Sequence, residues 1–341
     1  MRKLAALLLA LSSTAAFAAP NPVAQPTKLD PAWQARTRAL LEKAIEIPTV
    51  LKRGEMSRMA ELIAAELRRG GIPAADIRII PHEGLPGDNS ASMVARWRSS
   101  NPTKKPILIL GHMDVVEAKR EDWKQDPFEF IERDNYFYGR GTVDMKNGIV
   151  ATTLALLKLK QAGFKPNRDI ILFFTGDEET AMNGARRGST EWRQMTDADF
   201  ALNADGGGGS YDRDGRPLGF GIQTAEKTFQ TYFLTARNRG GHSSRPRPDN
   251  AIFDLADAIK RLQGHRFEPM LNETTRAYFT ERAKQEGDRP LGKAMRAWVA
   301  NPADGAAADA IEASELEVGT TRTRCVPTML EAGHADNALP Q

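Results

Sequence analysis

The sequence predicts an α/β protein: a larger domain on a mostly parallel sheet with helices on both faces, then a smaller α+β domain. Three observations carry that reading. Runs of branched apolar residues, Pro106 to Leu110 and Asp169 to Thr175, read as strands buried on both faces. Stretches with apolar residues at three- and four-residue spacing alternate with them, as in a sheet covered by helices. Near Gln223 the character changes to period-two alternation, Thr228 to Arg237, with Phe229 and Phe233 on one face and Tyr232 and Leu234 on the other.

Asp30-Pro31 starts the first helix, with Asp30 as cap and Pro31 at its first position, and Trp33, Leu40, Leu41, Ala44 and Ile45 inward. A second helix places Met59, Leu62, Ile63 and Leu67 on one stripe and stops at Gly70-Gly71. Strands follow at Ile77–Ile80 and Ser92–Trp97, then the strand from Pro106, read as the central one. Gly148 to Leu159 reads as a helix, Asp169 to Thr175 as a buried strand and Phe200 to Ala204 as a short one. Beyond Gly240-Gly241 a helix starts at Asn250 with Ile252, Leu255, Ile259 and Leu262 on one stripe. Residues 268–317 are Ala- and charge-rich with an interrupted helical pattern, expected as a surface insertion, and Cys325 to Leu330 is strand-like again.

Composition narrows the function. The chain has 341 residues, 41% hydrophobic and 27% charged, and 47 Lys plus Arg against 44 Asp plus Glu give +3 without a dense basic block. Nucleic acid is therefore not an implied partner. The single cysteine, Cys325, excludes an internal disulfide and a Cys-based metal site, and is expected to be buried. Met1-Arg2-Lys3, the apolar run Leu4 to Leu11 and Ala16-Phe17-Ala18 have the form of a secretory signal peptide. Residues 1–19 are thus expected to be removed on export to the periplasm or medium, with no membrane segment left behind. The domains are expected at 20–224 and 225–341.

Four polar clusters sit at or just beyond strand ends: His112-x-Asp114, Gly139 to Lys146 with Asp144 before a helix, Gly176-Asp177-Glu178-Glu179-Thr180, and Asn203 to Gly207 around Asp205. In open α/β sheets functional groups gather at that edge. Clustered carboxylates repel unless a cation holds them. His112 and Asp114, two apart on an extended backbone, suit an imidazole ligand whose other nitrogen is held by a carboxylate.

This set resembles the co-catalytic zinc metallopeptidase family of glutamate carboxypeptidase, bacterial dipeptidases, acetylornithine deacetylase and succinyl-diaminopimelate desuccinylase. The resemblance rests on Gly111-His112-x-Asp114-x-Val116, Gly139-Arg140-Gly141-x-x-Asp144-x-Lys146 and Glu178-Glu179. It implies a two-zinc site in which His112 and Asp205 bind one metal, Glu179 the other, and Asp144 bridges both. It implies Asp114 as the orienting carboxylate, Glu178 as general base, and a cis bond between Asp144 and Met145. Gly240-Gly241-His242-Ser243-Ser244 resembles the family's smaller-domain motif, in which the histidine reaches the scissile carbonyl from the partner subunit. The smaller domain is accordingly expected to serve as a lid and to form a homodimer.

The family's last zinc ligand is a histidine in a returning carboxyl-terminal segment. None of His82, His112, His242, His265 and His334 takes that place, so the chain is expected to be truncated. With one site short of a ligand, it is expected to hold at most one zinc tightly and to show little peptidase activity. The implied function is an exported, zinc-dependent hydrolase of small peptides, of carboxypeptidase or dipeptidase type. The alternatives are an N-acyl amino acid deacylase with the same metal centre and a non-catalytic binding or dimerisation protein.

Overall fold

The computed structural model describes residues 30–206, 208–211 and 217–341, so the expected signal peptide lies outside the described residues. The chain divides into two compact units, with the boundary in sequence between Asp205 and Gly206.

In the first unit, α1 (Pro31–Ile45) begins where the Asp30 carboxylate accepts the N–H groups of Ala32 and Trp33, both at 3.1 Å. Its buried residues are Trp33, Leu40, Leu41, Ala44 and Ile45, the stripe read from spacing. α2 (Met56–Arg69) buries Met59, Ile63 and Leu67 and stops at Gly70. Strands β1 (Ile77–Glu83), β2 (Asn89–Trp97) and β3 (Ile107–His112) follow, then the small hairpin of β4 (Ile131–Arg133) and β5 (Tyr136–Tyr138). α3 (Lys146–Gln161), β6 (Ile170–Thr175), α4 (Asn183–Ser189), α5 (Arg193–Thr196) and β7 (Phe200–Asn203) complete the unit.

The main sheet has the order β1-β2-β6-β3-β7. β6 and β7 both run parallel to β3, whereas β2 is antiparallel to both β1 and β6. Four of the five strands therefore point one way and β2 alone is reversed. The middle strand is β6, buried along its whole length, rather than β3. Residues Ile107 to Leu110 of β3 are only half-buried, because nothing lies beyond it but the edge strand β7, whose Phe200 and Leu202 are 49% and 51% exposed. An apolar run shows that a strand is covered but not which neighbour covers it.

Helices pack on both faces. Leu172 and Phe174 join Met93, Ala95 and the buried stripes of α1, α2 and α3. Ile171 and Phe173 point the other way, into a smaller cluster with Val94, Trp192 and Met195. Each such fully buried side chain contributes about 1.5–3 kcal/mol relative to exposure.

The second unit opens with the hairpin β8 (Gly208–Tyr211) and β9 (Pro217–Gly221). Thr228 to Arg237 joins no sheet among the described residues, and Phe229 and Phe233 are 73% and 91% exposed. Period-two alternation fixes an amphipathic strand only where a partner is present to bury one face. β10 (Gly241–His242) pairs with β11 (Ala338–Leu339), and α6 (Ala251–Gly264) starts at the Asn250 cap.

Residues 268–317, expected as a surface insertion, form α7 (Glu273–Glu286), α8 (Pro290–Ala300) and α9 (Gly305–Glu312) around their own core. Phe279, Met295, Trp298 and Ile311 are fully buried there, and the Phe279 and Trp298 rings meet edge-on at 5.3 Å. The pattern looked interrupted because α7 buries only Phe279 and Ala283, one helical turn apart. Cys325 is exposed, not buried, in a segment that forms no strand and whose Val326 and Met329 are exposed too.

Candidate metal centre

The parallel strands β3, β6 and β7 end at the same edge of the sheet, and the polar clusters follow those ends. His112 closes β3 opposite Thr175, the last residue of β6. Asp205 lies two residues beyond β7, where Ala204 N–H still bonds the Leu110 carbonyl at 3.1 Å. Asp144 precedes α3, and its peptide bond to Met145 is cis, as the resemblance implies.

His112 is the focus of the cluster and is 2% exposed. Its Nε2 lies 3.0 Å from Asp144 Oδ1, 3.5 Å from Asp205 Oδ2 and 4.0 Å from Glu178 Oε2. Its Nδ1 faces the Asp114 carbonyl oxygen at 3.0 Å and the Asp114 carboxylate at 3.4 Å. Acceptors thus face both ring nitrogens, which suits the doubly protonated imidazolium; a cation taking Nε2 would leave the proton on Nδ1, held by the Asp114 oxygens.

Ligand atoms of His112, Asp144 and Asp205 all lie within 4.8 Å of one another. One imidazole nitrogen and carboxylate oxygens are a donor set that suits a borderline divalent cation such as zinc. Without a cation the crowding shows in the titration of its members. Burial would lower the His112 pKa, but the hydrogen bond and charge of Asp114, with the charges of Asp205 and Glu178, push it up to about 9. Glu178 and Glu179 are raised above the ordinary carboxylate value, first by burial and then by the surrounding acids. Both responses are those of an anionic pocket whose charge a bound cation would offset.

Around this core the structure places residues to which the sequence reading gave no role. Lys146, fully buried, extends its Nζ to the carbonyls of Ala44 (2.9 Å) and Ile47 (2.5 Å) at the end of α1. It thereby ties the start of α3, and Asp144 with it, to α1. Burial lowers the Lys146 pKa to about 7 against the opposing pull of Asp114. Asp177, 1% exposed, is a second such residue. Both lie inside the quoted motifs, but only three-dimensional contacts separate a positioning side chain from its reactive neighbours.

Of the other site residues named from sequence, Glu179 places its main-chain N–H 2.9 Å from Asp114 Oδ2, and its carboxylate is not one of the three clustered donors. His242 belongs to the second unit, where it is exposed on β10. Its Nδ1 accepts the Ser244 main-chain N–H at 3.1 Å, which puts the proton of the neutral ring on Nε2. His82 is bonded to Ser92, and the His265 ring meets Phe267 edge-on.

A family model described as Peptidase family M20/M25/M40 matches residues 108–334. The N-fatty-acyl-amino acid synthase/hydrolase of Xenopus tropicalis is 30% identical over 307 residues, 88% of this chain and 59% of that protein. A probable succinyl-diaminopimelate desuccinylase of Staphylococcus aureus is 33% identical over 189 residues, 55% of this chain and 43% of the relative. Among solved structures, an M20 family metallo-carboxypeptidase from Sulfolobus solfataricus aligns over 89% of this chain and 68% of its own, with TM-score 0.59 and 18% identity. Human carnosine dipeptidase 1 aligns over 73% and 56%, with TM-score 0.51 and 20% identity. At those identities the likeness is one of fold. The chain spans 59–60% of the length of the first curated relatives. Matched over more than half of its residues, from β3 through the motifs that surround His112, the chain belongs to peptidase family M20/M25/M40.

Proposed function

We propose that this protein is a zinc-dependent hydrolase of amide bonds in small substrates that carry an amino acid. The observation that supports it best is the convergence of His112, Asp144 and Asp205, with the Glu178 carboxylate 4.0 Å from the same imidazole nitrogen. In this reading His112, Asp144 and Asp205 would hold one cation tightly, and Glu179 with Asp144 a second one more weakly for want of an imidazole, so that turnover needs zinc in excess. A divalent cation bound there supplies Lewis acidity, lowering the pKa of water and polarising a carbonyl oxygen.

The chain's own residues supply the remainder. Glu178, its pKa raised by burial and neighbouring acids, is suited to take a proton from water and return it to the leaving amine. Asp114 fixes the His112 ring. His242, with its proton on Nε2, is a neutral donor fit for a developing oxyanion, and we place it in the site of a partner copy in a homodimer. A well-placed donor of that kind contributes about 2.7–4 kcal/mol.

The peptide reading, carboxypeptidase or dipeptidase, follows from the motifs. A second reading, hydrolysis of N-acyl amino acids, is favoured by the names of the relatives that cover most of the chain. One panel tests both: dipeptides and N-acyl amino acids offered to the zinc-loaded protein, with release of the free amino acid followed. Turnover confined to acylated amino acids selects the second reading, and turnover of neither class sinks both. Export remains part of the proposal, supported by Met1-Arg2-Lys3, Leu4 to Leu11 and Ala16-Phe17-Ala18. Amino-terminal sequencing of the exported fraction should find a start at or near Ala19, and a cytosolic protein with an intact Met1 would refute it.

A further inference from the structure

The turn that carries Glu178 and Glu179 is wound on the residue before them. The Asp177 main-chain carbonyl accepts the N–H groups of Thr180 (3.3 Å), Ala181 (3.1 Å) and Met182 (2.7 Å). Its carboxylate accepts two more, Asn183 N–H on Oδ2 at 2.8 Å and Gly184 N–H on Oδ1 at 2.9 Å. A single residue thus gathers the donors of the five residues from Thr180 to Gly184.

The turn is also pinned at both ends to the β1–β2 hairpin. Ser90 Oγ donates to the Gly176 carbonyl at 2.6 Å, and Asn183 Nδ2 donates to the Gly84 carbonyl at 2.8 Å. Behind it stands a buried polar wall in which His82 Nε2 meets Ser92 Oγ at 2.9 Å, with the Trp192 ring 5.5 Å from the imidazole. No space remains there. A Cβ on Gly184 would fall 2.6 Å from Ser92 Oγ, 2.9 Å from Asp177 Oδ1 and 3.3 Å from His82 Nε2.

The charges of Asp114 and Asp144 act on both Glu178 and Glu179, and that of Asp205 on Glu178, and like charges in such a cluster drive each other apart. Something other than their own attraction must hold them there. We propose that Asp177 is the positioning residue of this site: it fixes the 178–184 turn, and through it the aim of the Glu178 and Glu179 side chains. The effect extends to His112, because Glu179 N–H bonds the Asp114 carboxylate that faces the ring. A carboxylate is required, since the two N–H groups fall on different oxygens, Oδ2 and Oδ1, and a side-chain amide would set an N–H donor against one of them.

Asp177 needs no chemistry of its own for this, and the inference rests on the hydrolase reading only for what the glutamates do. Two variants of the full chain test it. Asp177→Asn keeps the shape but turns a donor toward an N–H group. Gly184→Ala leaves the carboxylate intact and pushes it aside. Each metal-free variant is first shown to be folded by circular dichroism at the working temperature, and zinc is then titrated against a chelator. Both variants should bind zinc about 10- to 100-fold more weakly than the unaltered protein. With the best substrate of the panel, kcat should fall while KM stays within about threefold, the pattern of a misaimed group rather than lost binding.

If Asp177→Asn does not fold, Gly184→Ala decides; if neither folds, Asp177 serves the fold rather than the aim and the proposal is overturned. Zinc affinity equal to that of the unaltered protein in either folded variant also overturns it. Should the unaltered protein turn over nothing in the panel, the hydrolase reading falls, and the zinc comparison still decides the role of Asp177.

Discussion

The Asp114 carboxylate receives the main-chain N–H of Glu179 at 2.9 Å on one oxygen and turns the other toward His112 Nδ1 at 3.4 Å. One buried side chain therefore couples the end of β3 to the turn after β6. Asp114→Asn cannot serve both, because its amide group would oppose one of two N–H donors. Zinc affinity should drop about 10- to 100-fold, as for other partners of metal-bound histidines. Competition against a chelator reads it, and unchanged affinity would show that the coupling does not matter.

The two adjacent glutamates should separate under mutation. Glu178→Ala should leave zinc content unchanged and lower turnover by about 10²–10⁴-fold, the usual contribution of a positioned base. Glu179→Ala should also lower the zinc taken up when the metal is in excess, because it serves the weaker second site. Metal analysis after equilibration with excess zinc, beside the substrate assay, distinguishes them, and the reverse pattern would exchange their roles.

Acidity should govern metal uptake. A cation takes the Nε2 lone pair, so it competes with the second proton on a ring whose metal-free pKa is about 9. Affinity measured at increasing pH should rise about tenfold per unit and level off above that value. The same shift acts on metal-free stability with the opposite trend. The folded pKa lies above the ordinary 6.5, so its stabilisation is fully present below 6.5 and lost as pH rises through about 9. Denaturant midpoints of the metal-free protein across that window test the sign.

Lys146→Ala should weaken the first unit without touching a ligand. It removes the donor shared by the Ala44 and Ile47 carbonyls, which keep the N–H groups of Ile47 (3.3 Å) and Thr49 (2.9 Å), so the cost is that of two lost hydrogen bonds, about 0.5–1.5 kcal/mol each. A lower urea midpoint for the metal-free protein is expected. A midpoint equal to the parent's would mean that water replaces the ammonium.

In the second unit, Trp298→Ala should cost about 3–5 kcal/mol by removing the ring around which α7 to α9 pack. Loss of amide protection confined to residues 268–317 would show that the three helices hold together as one body. Protection lost equally in α6 would contradict that.

Much of the site was legible because its residues are punctuation marks at strand ends. His112, Asp144, Glu178 and Asp205 interrupt apolar runs or precede a helix, and polar groups at those points need a reason. Strand order is not legible, because parallel β3 and β6 present the same kind of apolar run and either suits the middle of the sheet. Asp177 and Lys146 stand in the quoted motifs, but their positioning roles are not legible, for a different reason. Their roles lie in contacts with backbone atoms, which carry no mark in the sequence. Cys325 is exposed against expectation because a thiol is buried only where its surroundings are, and its apolar neighbours Val326, Met329 and Leu330 are exposed too.

Among the described residues β7 bonds to β3 along one side only and forms the edge of the sheet, yet Asp205 lies just past its end. A ligand held on an edge strand makes the persistence of that strand a question of mass action. A cation that binds only while β7 is docked adds about 2.7 kcal/mol to docking at a hundredfold excess over its dissociation constant, and nothing when scarce. The sheet would then have five strands in a metal-replete compartment and a fraying fifth in a depleted one, so that supply of the ion sets the border of the fold.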